Sequence, residues 1–336
     1  MTLERLNELF ARFEGLRITV AGDLFLDRWY EIDTTLNEPS VETGITAYQV
    51  VKKRSAAGAA GTVINNLSAM GVGTIRCVSL VGDDGDGWEM LKLLKERRVD
   101  VSGVVVSDRV VTPSYIKPLF PEEGNRLDIK NFAPTPDALQ NEIIHRMEEA
   151  LEQSDALLLL DQVCETDTGV LTAKVRSAVA DMARRHPHKL VYADSRAFIH
   201  LYRDMVIKCN ELEAARMTGR AEGPFDPETV FACMDDLRAL THHPVVITCG
   251  KHGVAVEENG RKRIVPAVRQ PGPIDICGAG DACSAGLTSA LCAGASYAEA
   301  AAVGNLSSGV TVRKLGQTGT ASQAEMLALF LEQQKG

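Results

Sequence analysis

The sequence predicts an α/β fold: a doubly wound, mainly parallel sheet with helices on both faces, plus a small β-sheet lid. Three observations point there. Short apolar, β-branched runs recur at 17–21, 74–81, 103–106, 156–160, 190–193, 205–207 and 245–248. Helix-like stretches at 60–70, 88–98, 137–153, 168–185, 211–218 and 227–240 separate most of them. Alternation of this kind means parallel strands joined by crossover helices. Two stretches, 29–54 and 110–131, break the alternation and hold only strand-like segments at 47–52, 114–117 and 126–129.

These breaks divide the chain into a core of residues 1–28, 55–109 and 132–336 and a lid of residues 29–54 and 110–131. A covering layer suits a reaction that must exclude water; two irregular surface loops are the plainer alternative. At the N-terminus, Leu3, Leu6, Phe10 and Phe13 fall at helical spacing with acidic residues between them, which predicts an amphipathic helix on the body rather than a signal peptide. Residues 282–293, 297–312 and 321–333 read as three further helices, the first two rich in small residues that allow close approach to the sheet.

Composition excludes several classes. With 45% hydrophobic and 24% charged residues the chain is an ordinary globular protein. A net charge of −9 argues against nucleic-acid binding, which needs a basic face. No apolar run approaches the ~20 residues of a membrane span. The eight cysteines show no C-x-x-C and several sit in apolar contexts, so reduced thiols in a cytoplasmic protein are expected, with no zinc site.

Ligands of open α/β sheets sit beyond the C-terminal ends of the strands, and Asp23, Asp161 and Asp194 each follow a predicted strand at that edge. The sharpest motif lies later, where DICGAGDACSAG (275–286) runs from a small-residue turn into a helix. The unpaired amides and dipole at a helix N-terminus attract an anion. Gly278 and Gly280 leave that backbone bare. Asp281 would repel a bound phosphate unless it holds the hydroxyl that attacks it. Amides for the anion and a carboxylate for the nucleophile suffice for phosphoryl transfer; the plainer role of Asp281 is a first-turn cap.

Several motifs in order then resemble one family. DICGAGD (275–281) matches D-T-x-G-A-G-D of the ribokinase-like, PfkB-type carbohydrate kinases. VAGDLFLDRWY (20–30), KCNELEAARMTG (208–219) and KLGQTGT (314–320) are most similar to the kinase domain of heptose-7-phosphate kinases. The resemblance implies Asp281 as base and Gly278, Ala279 and Gly280 as anion hole. It implies sugar contacts from Asp23 and, more weakly, Asp27, from Gly58, Thr62 and Asn66, and from Lys117 and Arg126 in the lid. Nucleotide contacts fall to Asn210, Thr248, Gly250 and Asn305, with Glu213 holding magnesium through water. Asp275, Cys277 through its carbonyl, Gly316 and Thr320 align with a monovalent-cation loop. ATP and Mg2+ are the implied cofactors, potassium a further candidate, and a homodimer through the lid a candidate assembly.

The match departs on the sugar side. The family's G-G-x-x-N is Gly58-Ala59-Ala60-Gly61-Thr62 here, so Ala59 replaces a glycine and Thr62 an asparagine; Asn65 and Asn66 follow one turn later. Ile276 stands where the signature has threonine. The implied activity is transfer of the γ-phosphoryl group of ATP to a hydroxyl of a sugar or sugar phosphate. Simple pentoses, hexoses and nucleosides are the runner-up substrates. A non-catalytic sugar- or nucleotide-binding module is the alternative of another class. A dinucleotide-dependent oxidoreductase is disfavoured, because GDLFLD follows the first strand where G-x-G-x-x-G is needed.

Overall fold

The computed structural model describes residues 1–334. The chain opens with α1 (Leu3–Phe13), β1 (Arg17–Gly22) and the long β2 (Leu24–Ile32), then two short strands, β3 (Glu38–Pro39) and β4 (Thr46–Ala47), and β5 (Val50–Ala59). Next come α2 (Ala60–Ala69), β6 (Thr74–Gly82), α3 (Gly85–Glu96), β7 (Asp100–Ser107), β8 (Ser114–Leu119) and β9 (Leu127–Ile129). The middle of the chain alternates through α4 (Asp137–Glu152), β10 (Ala156–Asp161), α5 (Ala173–Arg185), β11 (Leu190–Ser195), β12 (Val206–Asn210), α6 (Glu211–Met217) and α7 (Pro227–Thr241). It ends with β13 (Val245–Thr248), β14 (Val254–Glu258), β15 (Arg261–Val265), α8 (Ala279–Cys292), α9 (Tyr297–Thr311) and α10 (Gln323–Gln333).

One nine-stranded sheet, in the order β15-β14-β13-β12-β11-β10-β1-β6-β7, forms the core. Every pairing from β13 to β7 is parallel; β14 and β15 add an antiparallel edge. Strands buried on both faces need apolar residues throughout, and β10 (ALLLLD) is buried along its whole length. On one face pack α1, α2, α3, α8, α9 and α10, around Phe13, Leu67, Met90 and Leu287. On the other pack α4, α5 and α7, around Ile143, Val179 and Leu237. Each such buried side chain contributes about 1.5–3 kcal/mol.

The second sheet has the order β5-β2-β8-β9. It takes in 24–28 and 55–59 as well as the two excursions, because β2 leaves the core sheet directly. Gly22 (φ 148°) and Asp23 break β1, and β2 continues into the other layer. The helix expected from residue 168 begins only at Ala173: Thr172 caps it by accepting from Val175 N, and Val170 N is already bound to Asp23. The β14–β15 hairpin was missing from the sequence reading. Its signal is the Asn259-Gly260 turn, both residues at positive φ (51° and 73°), between alternating strands.

Candidate active site

A cleft of roughly 1050 Å³ opens at the C-terminal edge of the sheet, between the ends of β11, β12 and β13 and the start of α8. Lys208, Asn210, Glu213, Thr248, Gly250, Asn305 and the whole turn Gly278–Asp281 line it. The location follows from topology, since parallel strands all deliver their following loops to one edge.

Gly278 is the N-cap of α8, at φ 75° and ψ 4°. Glycine is required there twice over. A side chain would strain the left-handed backbone, and a Cβ would lie 2.7 Å from Thr318 Cγ2 and 3.3 Å from Thr62 Cγ2. Among the described residues, the N–H groups of Gly278, Gly280 and Asp281 have no partner. Ala279 departs from its predicted role: its N–H donates to Ile276 O at 3.1 Å, closing the turn that the left-handed residue creates. The anion seat is therefore made of three amides around that turn, with Asp281's own N–H in place of Ala279's.

Asp281, half-buried in the first turn of α8, accepts no hydrogen bond from the described residues. Burial pushes its carboxyl up to about 7, reinforced by Asp194 and Asp27 and opposed by Lys208 and Arg196. That value suits a group that takes a proton near neutral pH.

Beneath it lies a buried charge pair that sequence reading missed. Lys208 Nζ is 2.8 Å from Asp194 Oδ2, the two residues being 6% and 7% exposed. Ser284 donates to the same oxygen at 2.9 Å and receives a hydrogen bond from Tyr192 at 3.1 Å. Burial alone would discharge Lys208; the Asp194 carboxylate outweighs it and holds the ammonium protonated. A Cβ on Gly280 would be 3.2 Å from Lys208 Nζ, so the ammonium adjoins the anion seat. The signal in the sequence was a lysine inside the apolar run of β12, where an unpaired charge is not tolerated.

Asn210 and Glu213 form a capping box at α6: Glu213 N donates to Asn210 Oδ1 and Asn210 N to Glu213 Oε2, each at 2.8 Å. This leaves one oxygen of Glu213 on the cleft. Burial, reinforced by Asp194, raises its carboxyl against the pull of the Asn210 amide. Asn305 donates from Nδ2 to Val265 O and Pro266 O, both at 3.0 Å, so its amide nitrogen fixes the exit of β15 and its oxygen remains an acceptor. Thr248 reaches only Cys209 O, at 3.4 Å.

The sugar-side residues lie outside this cleft, on and under the second sheet. Asp27 Oδ1 pairs with Lys117 Nζ at 2.9 Å, and the ammonium sits 4.7 Å from the Trp29 ring centre. Gly58 gives the Asp27 carboxylate its room, since a Cβ there would be 2.3 Å from Oδ2. Arg126 grips Asp128 through two hydrogen bonds and stacks 4.1 Å over Tyr115. Thr62 is buried with its methyl toward Gly278.

Besides Ala279, three predicted roles change. Asp23 was expected at sugar hydroxyls, but its carboxylate accepts from Gln162 N (2.9 Å), Val163 N (3.2 Å) and Val170 N (2.8 Å). Three of its roughly four lone-pair sites thus hold the loop after β10. Asp161 likewise serves structure, accepting from Ser195 and Tyr202, both at 2.8 Å. Of the three acids expected at the edge, Asp194 alone lines the cleft. Asn66 is fully buried, donating to Thr62 O (3.0 Å) and accepting from Ala321 N (3.1 Å), so it ties α2 to the C-terminal segment instead of meeting sugar.

The residues aligned with a cation loop do meet, but as a hydrogen-bonded set. Asp275 accepts from Cys277 N on one oxygen and Gly316 N on the other, both at 3.0 Å, and Thr320 O receives Lys314 Nζ at 2.6 Å. Asp275 and Thr320 O are thus already engaged, whereas the Cys277 and Gly316 carbonyls accept nothing from the described residues. For magnesium the fit is better: Glu213 has a free oxygen, as a water-mediated contact requires.

Ala59, in the family's glycine position, has φ 53° and ψ −120°, a conformation that glycine adopts readily and alanine does not.

Comparison with known proteins agrees with this geometry. The bifunctional protein HldE of Bradyrhizobium diazoefficiens is 30% identical over 334 residues, covering 95% of this chain and 64% of that protein. The chain thus spans just under two thirds of that relative's length. Arabidopsis thaliana ribokinase, complexed with ribose and ATP, shares the fold with a TM-score of 0.68 at 19% identity over 94% of this chain and 98% of its own. Phosphofructokinase-2 of Escherichia coli, in complex with substrates and products, does so at 0.69 and 15% identity over 95% of this chain and 100% of its own. The sequence profile of the pfkB carbohydrate kinases matches residues 30–324. A bare helix N-terminus, a neighbouring carboxylate and a match over most of the length lead to one assignment: the chain belongs to the pfkB family of carbohydrate kinases.

Proposed function

We propose that this protein transfers the γ-phosphoryl group of ATP to a hydroxyl of a sugar or sugar phosphate. One observation carries the reading: a half-buried carboxyl that accepts no hydrogen bond from the described residues stands beside free amides and a buried ammonium. In a loose phosphoryl-transfer transition state the protein mainly positions the reactants and neutralises charge. Asp281 takes the proton of the attacking hydroxyl. The amides of 278, 280 and 281 face the equatorial oxygens, and Lys208 adds positive charge at their side. Magnesium, when bound, neutralises the β- and γ-phosphates; Glu213 orients its waters. Asn210, Thr248 and Gly250 border the phosphate end of the nucleotide, and Asn305 Oδ1 accepts from it.

The sugar is placed between Thr62 and the lid, where Asp27, Lys117 and Arg126 stand. Lys117 and Arg126 are each paired with a carboxylate, Asp27 and Asp128, and would meet a sugar phosphate by exchanging that partner; a heptose phosphate is the first candidate on motif similarity. The exposed lid residues Val41, Ile45 and Val51 support pairing of two copies through this layer. No helix among the described residues is long and apolar enough to cross a membrane.

The test is an ATP-consumption screen over sugars, sugar phosphates and nucleosides, run in parallel on Asp281→Asn. Turnover that needs one sugar class and vanishes in the variant, with ATP binding retained, supports the reading. Sugar binding without turnover would replace it with a sensor.

A further inference from the structure

Resting on the kinase reading, we propose that this chain carries its monovalent cation as a side chain. The ammonium of Lys314 braces the loop behind the anion seat, and turnover does not depend on potassium.

The segment that wraps the anion seat is 312–320. Asp275 N donates to Val312 O at 2.8 Å, and Gly316 N returns to Asp275 Oδ2 at 3.0 Å. Thr318 then places its methyl group against Gly278. Motion of this segment moves Gly278, and with it the amides that would face the phosphoryl group. A bound metal cation would fix such a loop by collecting several carbonyl oxygens around one positive charge.

Here a positive charge is already in place. Lys314 Nζ donates to Thr320 O at 2.6 Å and meets Glu325 Oε1 at 2.7 Å. Glu325 is itself fixed at the start of α10, its other oxygen accepting Ser322 N at 2.8 Å and the Ser322 hydroxyl at 2.7 Å. The ammonium thus links the carbonyl at the end of the wrapping segment to a helix anchored in the core through Met326 and Leu329. A potassium ion on Thr320 O would need to displace that ammonium or face it across one carbonyl, and like charges at such range repel. Asp275, the one carboxylate of the aligned set, already accepts one amide on each oxygen, from Cys277 and Gly316, and is spoken for by this loop as far as half of its roughly four lone-pair sites.

Lys314 is therefore a positioning residue, and two measurements on the full chain test it. The first is kcat on the preferred sugar in potassium chloride against tetramethylammonium chloride at equal ionic strength. Wild-type kcat should be the same in both, whereas Lys314→Met should lose about 10–100-fold, the scale of a misplaced catalytic group, and recover partly with potassium but not with tetramethylammonium. The second needs no turnover: the melting temperature of nucleotide-free protein in the same two salts. Wild type should not shift, and Lys314→Met should rise with potassium alone, as a newly bound ion stabilises by mass action. Potassium activation or stabilisation of wild type would overturn the proposal, as would a Lys314→Met enzyme with unchanged kcat and no cation response. If Lys314→Met does not fold, the wild-type arms decide. If no sugar is turned over, the kinase reading fails while the melting arm still settles the cation.

Discussion

Lys208 Nζ and Asp194 Oδ2 lie 2.8 Å apart on neighbouring parallel strands, in register with one another and buried at the floor of the cleft. Removing one member of such a pair strands the other, whereas losing both is far milder. Lys208→Met should therefore destabilise the protein by about 3–5 kcal/mol, and Lys208→Met combined with Asp194→Asn by clearly less. Urea denaturation of the two variants checks this. Turnover should stay low in both, because neither restores positive charge beside Gly280.

Asp281→Asn should lower kcat by about 10²–10⁴-fold, the usual contribution of a general base, while ATP affinity measured by calorimetry stays near wild type. Near-normal turnover would remove Asp281 from its assigned role.

The same carboxyl makes the variant more stable. Its folded value of about 7 lies above the ordinary value of 3.8. Ionisation therefore costs folded stability progressively as pH rises between those two values, and the full cost applies above them. Asp281→Asn should melt higher than wild type at pH 8, with the difference shrinking toward pH 4.

The pH dependence of kcat/KM reports ionisations of the free enzyme. A rising limb centred near 7 is expected for wild type, from the deprotonation of Asp281. Cys209 and Cys283 near the site are raised by burial and stay neutral across this range, so neither of these thiols should contribute a second limb. A profile flat from pH 5.5 to 8.5 would contradict the placement of this base.

Ala59→Gly should stabilise the fold by about 1 kcal/mol. Relief of an unfavourable backbone conformation, about 1–3 kcal/mol, exceeds the entropy that glycine adds to the unfolded chain. Thermal melting reads this directly. The same exchange removes a methyl group from the start of α2, beside the proposed sugar site, so any change in substrate preference can be scored in one protein.

The core was legible because burial on both faces writes itself as apolar runs: 156–160 and 245–248 map onto β10 and β13 almost without offset. The turn at 278–281 was legible because glycine at a helix start has few other uses. What stayed hidden is pairing across the sheet. Lys208 and Asp194 are separated by a helical turn and a strand junction in sequence, and only strand register makes them neighbours. Asp23, Asp161 and Asn66 show the reverse failure. Their positions were anticipated, but neighbouring groups claim their oxygens first, backbone N–H groups for Asp23 and Asn66 and the Ser195 and Tyr202 hydroxyls for Asp161, a demand that residue type alone does not reveal. Ala279 belongs with them, since the left-handed turn at Gly278 decides where its amide points.

Gly278 is wedged between the methyl groups of Thr62 and Thr318, one from each half of the polypeptide. A ribosome delivers the first long before the second. The nascent protein can thus assemble much of its interior while the pocket still lacks a wall, which is supplied only once the stretch around 318 has been released. A chain stalled before that stretch would lack this wall of the pocket and, with it, Met326 and Leu329 of the core.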